Sequence, residues 1–286
     1  MNGHRALFAE FLGTSLLLAI VVGSGIMGER LAGGNTAIVL LVNAAATAGG
    51  LYVLIELFGP VSGAHFNPAV TMALALRGDA LPASATAYII VQVAGAVAGV
   101  LLAHAMFDSA LWQPGVRVRS GEAQWLSEAV ATFGLLLTII LGLRFRRRAV
   151  PALVGSYIFA AYWFTASTSF ANPAVTLARA LTQTFTGIRP LDAPGFIAAQ
   201  LAGAALALLA ARVLVGKPVH NHSTPATRED PRNVFQLNVL NIAGLATTCC
   251  RRSYSFSRYA TPPIWRICRW IAFVRRCTYG PGLRAS

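Results

Sequence analysis

Long apolar stretches alternate with short polar connections over residues 1–216. Six of these stretches are long enough to cross roughly 30 Å of hydrocarbon as helices, which takes about 20 residues each. They cover residues 6–27, 36–57, 83–106, 125–143, 149–167 and 194–215. Two further apolar segments, after Asn67 and Asn172, are about ten residues long and too short to cross. The pattern predicts an all-α membrane protein with six transmembrane helices and two re-entrant half-helices.

The two halves of this region repeat each other. Asn-Pro-Ala-Val-Thr occurs at residues 67–71 and again at 172–176, in corresponding places of the two halves. Each half contains three spans, an odd number, so the second half enters the membrane from the opposite side and the repeat is inverted. The sequence therefore predicts one membrane domain over 1–216, with repeats at about 5–107 and about 123–216.

Small residues recur along the third and sixth spans, at 95–99 and 202–205. Glycine and alanine allow helix backbones to approach closely inside a membrane. We therefore expect a compact bundle.

Composition and charge separate the membrane region from the end of the chain. Hydrophobic residues make up 56% and charged residues 12% of the 286 residues, which excludes an ordinary soluble domain. The formal net charge of +13 comes mainly from residues 217–286, where only Glu229 and Asp230 are acidic. We interpret this tail as a disordered extension attracted to anionic lipid headgroups, not to nucleic acid.

All four cysteines lie in the tail, and their spacing matches no zinc site with paired ligands. His220 and His222 have metal-like spacing but are interpreted as a solvated pair. The sequence thus predicts no metal site and no cofactor.

Arg144 and Arg146 to Arg148 make the short connection between the fourth and fifth spans basic. An excess of basic residues is typical of cytoplasmic loops. The sequence therefore predicts a multi-pass protein of the plasma membrane with both termini in the cytoplasm.

Each half-helix begins with an Asn-Pro-Ala motif, at Asn67, Pro68, Ala69 and at Asn172, Pro173, Ala174. Asparagine caps a helix, and proline at the first helical position sacrifices no hydrogen bond. Because the repeat is inverted, the two amino ends meet near the middle of the membrane and bring partial positive charge there. A cap and turn alone is the alternative, but two copies in corresponding positions favour a pore lined by both asparagines.

Polar side chains also lie inside the predicted spans. Glu10 and Glu128 occupy equivalent positions in the first and fourth spans, and Gln92 and Gln200 in the third and sixth. An intramembrane carboxylate is a functional candidate. Their symmetry favours support of the re-entrant loops over a proton relay. His65 is expected on the pore wall or in the loop hydrogen bonding, not in a metal site.

The segment from Ser62 to Thr71, Ser-Gly-Ala-His-Phe-Asn-Pro-Ala-Val-Thr, resembles the first signature of the aquaporin and aquaglyceroporin family, the major intrinsic proteins. The resemblance covers roughly residues 5–216 and includes both glutamates and both glutamines. It implies an aquaporin-like passive channel for small neutral solutes, not an enzyme, that forms homotetramers in the lipid bilayer.

The same resemblance implies a second constriction, where the family usually has an arginine directly after the second Asn-Pro-Ala. That residue is Val175 here, and the other filter positions fall at Thr47, Ala160 or its neighbour, and Ser169. Such a filter is expected to be wider and uncharged. Arg179 lies one turn beyond Val175 on the same helix face and is a candidate to restore the charge.

Residues 162–175 resemble the aquaglyceroporin branch found with bacterial arsenic resistance functions. The resemblance implies glycerol-like polyols, water, and trihydroxy or methylated metalloids such as arsenite as solutes. A water-selective aquaporin is one alternative. A proton-coupled secondary transporter is another, because inverted repeats with broken helices also build those. No nucleophile and base pair appears among the membrane residues, which argues against an intramembrane enzyme.

Overall fold

The computed structural model describes residues 3–78 and 82–215, and the side chains of 82–84 are excluded from the description. The predicted tail, with its cysteines and histidines, lies outside the described residues. Within the described residues the chain forms eight α-helices, two short 3-10 turns and no strand. The helices are α1 Gly3–Leu31, α2 Thr36–Ser62, α3 Pro68–Leu76, α4 Pro82–Met106, α5 Glu122–Phe145, α6 Val150–Phe164, α7 Pro173–Arg179 and α8 Ala193–Val215.

Five of these helices are long and apolar enough to cross a bilayer: α1, α2, α4, α5 and α8. Helix α6 has 15 residues, or about 22 Å. The span predicted to end at residue 167 is therefore wrong at that end. Thr165 has an extended backbone, with φ −111° and ψ 138°, and the chain from there onward is a loop that leads back into the protein.

The half-helices α3 and α7 are shorter than the ten residues expected, with nine and seven residues. Both are enclosed by longer helices: α3 packs on α4 and α8, and α7 packs on α4 and α8. Most of their apolar residues therefore pack inside the protein, while Met72, Leu76 and Leu177 are exposed.

The tightest helix pairs are α1 with α4 and α5 with α8, which are equivalent in the two repeats. Glycine makes this approach possible at corresponding places. A Cβ on Gly95 would lie 2.3 Å from the carbonyl oxygen of Phe11, and a Cβ on Gly203 would lie 2.1 Å from that of Ala129. Both distances are far inside van der Waals contact, so the small residues in the third and sixth spans set the helix spacing.

Candidate functional site

The two Asn-Pro-Ala motifs cap the half-helices in the same way. Oδ1 of Asn67 accepts a hydrogen bond from the N–H of Ala69 at 2.9 Å. Oδ1 of Asn172 accepts from the N–H groups of Ala174 and Val175 at 3.0 and 3.2 Å. Each proline follows at the start of its helix, where its missing N–H costs nothing.

Each asparagine also holds the loop of the opposite repeat. Nδ2 of Asn67 donates to the carbonyl oxygen of Ala171 at 2.7 Å, and Nδ2 of Asn172 donates to that of Phe66 at 2.8 Å. The acceptor is in both cases the residue just before the other asparagine. A side-chain amide carries two N–H donors, so one ties the loops together and the second remains available to the cavity that both asparagines line.

The loops before the asparagines use an uncommon backbone conformation. Ala64, Phe66, Ser169 and Ala171 all have φ of 49° or 50°. Non-glycine residues rarely adopt such positive values, and the strain persists only where surrounding structure fixes it. All four residues line the central cavity, so strained loop and not regular helix forms this part of its wall.

The surrounding structure that fixes the first loop is centred on the buried carboxylate of Glu10. Its Oε1 accepts hydrogen bonds from Oγ of Ser62 at 2.6 Å and from the N–H of His65 at 2.9 Å. Its Oε2 accepts from the N–H of Phe66 at 2.7 Å and from Nε2 of Gln92 at 2.8 Å. Every oxygen lone pair of the carboxylate is thus directed at the loop or at the glutamine that supports it.

Glu128 does the same for the second loop. It accepts from the N–H groups of Phe170 and Ala171 at 2.8 and 2.9 Å and from Nε2 of Gln200 at 2.6 Å. The same Nε2 group donates to Oγ1 of Thr176 at 2.8 Å. Hydrogen bonds of this kind satisfy a buried carboxylate, which would otherwise be very costly in a membrane.

A cavity of about 110 Å³ runs between the half-helices. A water molecule needs about 10–15 Å³ by this measure, so the cavity holds several waters or one small solute. One side is polar and contains both asparagines and the strained loops. Most of the remaining lining is apolar and comes from α1, α2, α5 and α6, including Leu17, Leu51, Leu135 and Val154.

Three of the four filter candidates line this cavity: Thr47, Ser169 and Val175. The assignment of Ala160 is wrong. Residues of α6 that line the cavity recur every fourth position, at 150, 154, 158 and 162, whereas Ala160 is exposed on the outer face. Two positions along a helix is about 200° of rotation, which turns Ala160 away from the pore. Neither neighbour, Phe159 or Ala161, is among the lining residues either. Tyr162, two positions further along, lines the cavity, and its hydroxyl lies 3.3 Å from Oγ1 of Thr47.

Arg179 lines the cavity beyond Val175 and is 1% exposed. Arg119 was missed by the sequence reasoning, because it lies in a polar connection far from the motifs. It is buried, and its guanidinium donates to the carbonyl oxygens of Ser167, Phe185 and Gly187 at 3.0, 3.3 and 2.9 Å. No local pattern could have revealed this role, which depends on how the connection folds over the bundle.

His65 also lines the cavity, on the side of the first loop. Its Nδ1 lies 3.1 Å from Oγ1 of Thr71, and its ring packs against Tyr88 with centroids 5.3 Å apart. Among the described residues no group of three or more His, Cys, Asp or Glu side chains is arranged to hold a metal ion.

Comparison with known proteins decides the family. The model of the major intrinsic protein family matches residues 1–165. The chain belongs to this family. Aquaglyceroporin AqpS from Rhizobium meliloti is 55% identical over 225 residues, which are 78% of this chain and 96% of that protein. The glycerol uptake facilitator protein of Streptococcus pneumoniae is 33% identical over 155 residues, 46% of this chain and 62% of that protein.

A solved structure supports the fold independently. The aquaglyceroporin from Plasmodium falciparum superposes with a TM-score of 0.59 at 20% identity, over 75% of this chain and 98% of that one. The predicted fold class and family are therefore confirmed. Members of the family are membrane channels for small neutral solutes, so this chain is a multi-pass channel and not an enzyme.

Proposed function

We propose that this channel conducts glycerol-like polyols and water together with trihydroxy or methylated metalloids such as arsenous acid. The observation that carries the proposal is Val175. It lines the cavity one turn into α7 and presents a small apolar side chain where the resemblance expects a guanidinium. A smaller, uncharged side chain leaves a wider passage than a water-selective filter would.

The two-sided wall of the cavity suits solutes with several hydroxyl groups. Loop carbonyls and the asparagine amides offer hydrogen bonds on one side, and Leu135, Val154 and Ile158 offer apolar contact on the other. A polyol can replace its lost water on the polar side while its carbon atoms face the apolar side. Arsenous acid is a neutral trihydroxy molecule at neutral pH and meets the same requirement.

The relatives point in the same direction, since AqpS is described as an aquaglyceroporin and the Streptococcus protein as a glycerol uptake facilitator. The metalloid part rests on the resemblance of residues 162–175 to the arsenic-resistance branch. Within the filter we propose Thr47, Ser169 and Val175 together with Tyr162, and in the central pore Asn67 and Asn172, supported by the glutamates and glutamines described above.

We also propose a homotetramer in the plasma membrane with both termini in the cytoplasm. The exposed arginines at the end of α5 and in the connection that follows it, at 144 and 146–148, support this orientation. Accessibility of a cysteine introduced at Arg146, in a variant whose four tail cysteines are replaced by serine, to a membrane-impermeant reagent in intact cells tests it. Labelling only after lysis supports a cytoplasmic loop, and labelling of intact cells contradicts it.

Stopped-flow light scattering on proteoliposomes tests the substrate class. Wild type is compared with Val175→Arg, and with Val175→Met as a control for added bulk without charge. We expect wild type to pass water, glycerol and arsenous acid. The arginine variant should lose glycerol and arsenous acid permeability by about tenfold or more while water permeability changes much less. Permeability of wild type to water alone would contradict the proposal and favour the water-selective alternative.

A further inference from the structure

The end of α5 and the connection after it expose arginine and large apolar side chains next to one another. Leu143, Arg144, Phe145, Arg146 and Arg147 are consecutive, and all five are exposed. Leu143 is 40% and Phe145 is 62% exposed. Water disfavours such apolar side chains, whereas hydrocarbon disfavours arginine. A segment that exposes both is suited to the boundary between lipid headgroups and acyl chains, where each side chain finds its own medium.

The length of α5 places this segment at the membrane surface. The helix has 24 residues, or about 36 Å, and is long and apolar enough to cross the bilayer. The hydrocarbon is roughly 30 Å thick, so the basic last turn of α5 emerges among the headgroups. Cations held at this depth lie within reach of lipid phosphates.

Helix α8 ends at the same membrane surface as α5. Helix α6 returns the chain across the bilayer and the half-helix α7 does not cross, so α8 runs in the direction of α5. The two helices are also one of the tightest pairs in the bundle. The last turn of α8 carries Arg212, followed by Val213 and Leu214, which are 86% and 60% exposed. Neighbouring helix ends thus present the same combination of cation and apolar side chain.

The arginines of both helix ends have no counter-ion within the part of the chain that the structure describes. The side chains of Arg144, Arg146, Arg147 and Arg212 form no ion pair or hydrogen bond there. The surrounding sequence offers no acid either, since positions 129–191 contain neither Asp nor Glu. Several like charges on one small surface repel each other. An anion from outside the protein would relieve that repulsion.

Neither the rest of the chain nor a soluble polyanion fits this surface. The tail of residues 217–286 is basic, with Glu229 and Asp230 its only acids, so the arginines repel it. An acidic protein or a nucleic acid would pair with the cations but leave Phe145 and Val213 in water. A phospholipid of net negative charge meets both needs, because its phosphate accepts hydrogen bonds from guanidinium groups and its acyl chains cover the apolar side chains.

We propose that the ends of α5 and α8 form a binding site for an anionic phospholipid. The arginines of residues 144–147 bind the headgroup phosphate, and Phe145 packs against the acyl chains. The site adjoins the channel, because the central cavity is lined by Leu143 just before these arginines and by Val150 just after them. The site binds lipid and not the transported solute, so the inference is independent of the proposed substrate class.

Native mass spectrometry of the full-length protein in neutral detergent measures the dissociation constant of phosphatidylglycerol. Phosphatidylcholine with the same acyl chains is the reference without net charge, and wild type should bind it more weakly. An arginine near a lipid surface contributes about fivefold in affinity, so replacing Arg144, Arg146 and Arg147 together with glutamine should weaken phosphatidylglycerol binding by about 30-fold or more. Replacing the same three with lysine keeps the charge and should leave the affinity within about threefold of wild type.

Single variants separate this site from basic charge in general. Arg146→Gln should weaken phosphatidylglycerol binding about fivefold. Arg117→Gln is the matched control, since Arg117 is an exposed arginine in the connection before α5, at the opposite membrane surface, with its guanidinium carbon 5.0 Å from the centroid of the Phe185 ring. This variant should bind the lipid like wild type. Without lipid, Arg146→Gln and wild type should share one thermal midpoint, because the Arg146 side chain has no partner among the described residues.

Phe145→Ser separates a lipid from a free phosphate ester. Covering a phenylalanine side chain contributes about tenfold or more in affinity, so this variant should bind phosphatidylglycerol about tenfold more weakly. Glycerol 1-phosphate has the phosphate but no acyl chains and should not displace the lipid from wild type. Displacement at equal concentration would identify a soluble phosphate ester as the ligand and overturn the lipid assignment. Equal phosphatidylglycerol affinity in wild type and the triple glutamine variant would also overturn the proposal and assign the bound lipid to the tail.

Discussion

Replacing Glu128 with glutamine is the sharpest test of how the second re-entrant loop is held. The variant keeps the shape of the side chain and one carbonyl oxygen, which can still accept the N–H of Phe170. The other oxygen becomes an NH₂ group facing two donors, the N–H of Ala171 at 2.9 Å and Nε2 of Gln200 at 2.6 Å. Both of these hydrogen bonds are lost.

The structure suggests how much of this loss is recoverable. Gln200 can rotate its amide so that Oε1, which has no protein partner, accepts from the new NH₂ group, although its Nε2 then leaves Oγ1 of Thr176. The N–H of Ala171 belongs to a strained backbone and cannot turn away. One buried donor that had bonded a charged acceptor is therefore left unsatisfied, which costs about 2–3 kcal/mol. For a chain of this size the thermal midpoint should fall by roughly 5–10 °C.

Thermal unfolding of detergent-solubilised protein, followed by gel filtration of the remaining folded fraction, measures the shift. Glu122→Gln is the matched control, since Glu122 is exposed in the first turn of α5. Glu10→Gln should cost at least as much as Glu128→Gln, because Glu10 accepts four hydrogen bonds and Glu128 three. A midpoint for Glu128→Gln equal to that of Glu122→Gln would refute this reasoning.

Two further variants probe other parts of the fold. Gly203→Ala should destabilise by about 1–3 kcal/mol because its Cβ would lie 2.1 Å from the Ala129 carbonyl oxygen, whereas Gly49→Ala, with open space around it, should not lower the midpoint. Burial opposes ionisation of Asp192, but hydrogen bonds from Arg189 and the N–H of Arg119 lower its pKa overall. Its stabilisation is present above the unfolded pKa of about 3.9 and is lost as pH falls through the lower folded value. Acidification from about pH 6 to pH 3 should therefore lower the midpoint more in wild type than in Asp192→Asn.

The helices and their order could be predicted because membrane spans need long apolar runs and half-helices need caps, both of which are local signals. The end of α6 could not be predicted from the sequence. Residues 165–167 are small and uncharged enough to continue the helix, and only the descent of the loop toward Asn172, fixed by Glu128 and Arg119, ends it at Phe164.

The functional site likewise has residues that the sequence predicts and residues whose place depends on packing. Asn67 and Asn172 can be identified from their motifs, whereas the pore-facing side of α6 depends on how that helix is rotated against α2 and α5. That rotation is a property of packing, so Ala160 was chosen instead of Tyr162. The contacts of Arg119 join residues 48 to 68 positions apart in the chain, a separation at which sequence periodicity carries no information.

Comparing equivalent positions of the two loops separates structural from selective residues. Side chains that hold the loops are the same in both repeats, as for Asn67 with Asn172 and Thr71 with Thr176. Side chains on the cavity wall differ: Ala64 corresponds to Ser169, and Leu74 to Arg179. The backbone conformation is nevertheless repeated, with φ of 50° at Ala64 and 49° at Ser169. A symmetric scaffold thus carries different side chains at the two ends of the cavity, so discrimination between solutes should depend on the wall residues that differ and not on those that hold the loops.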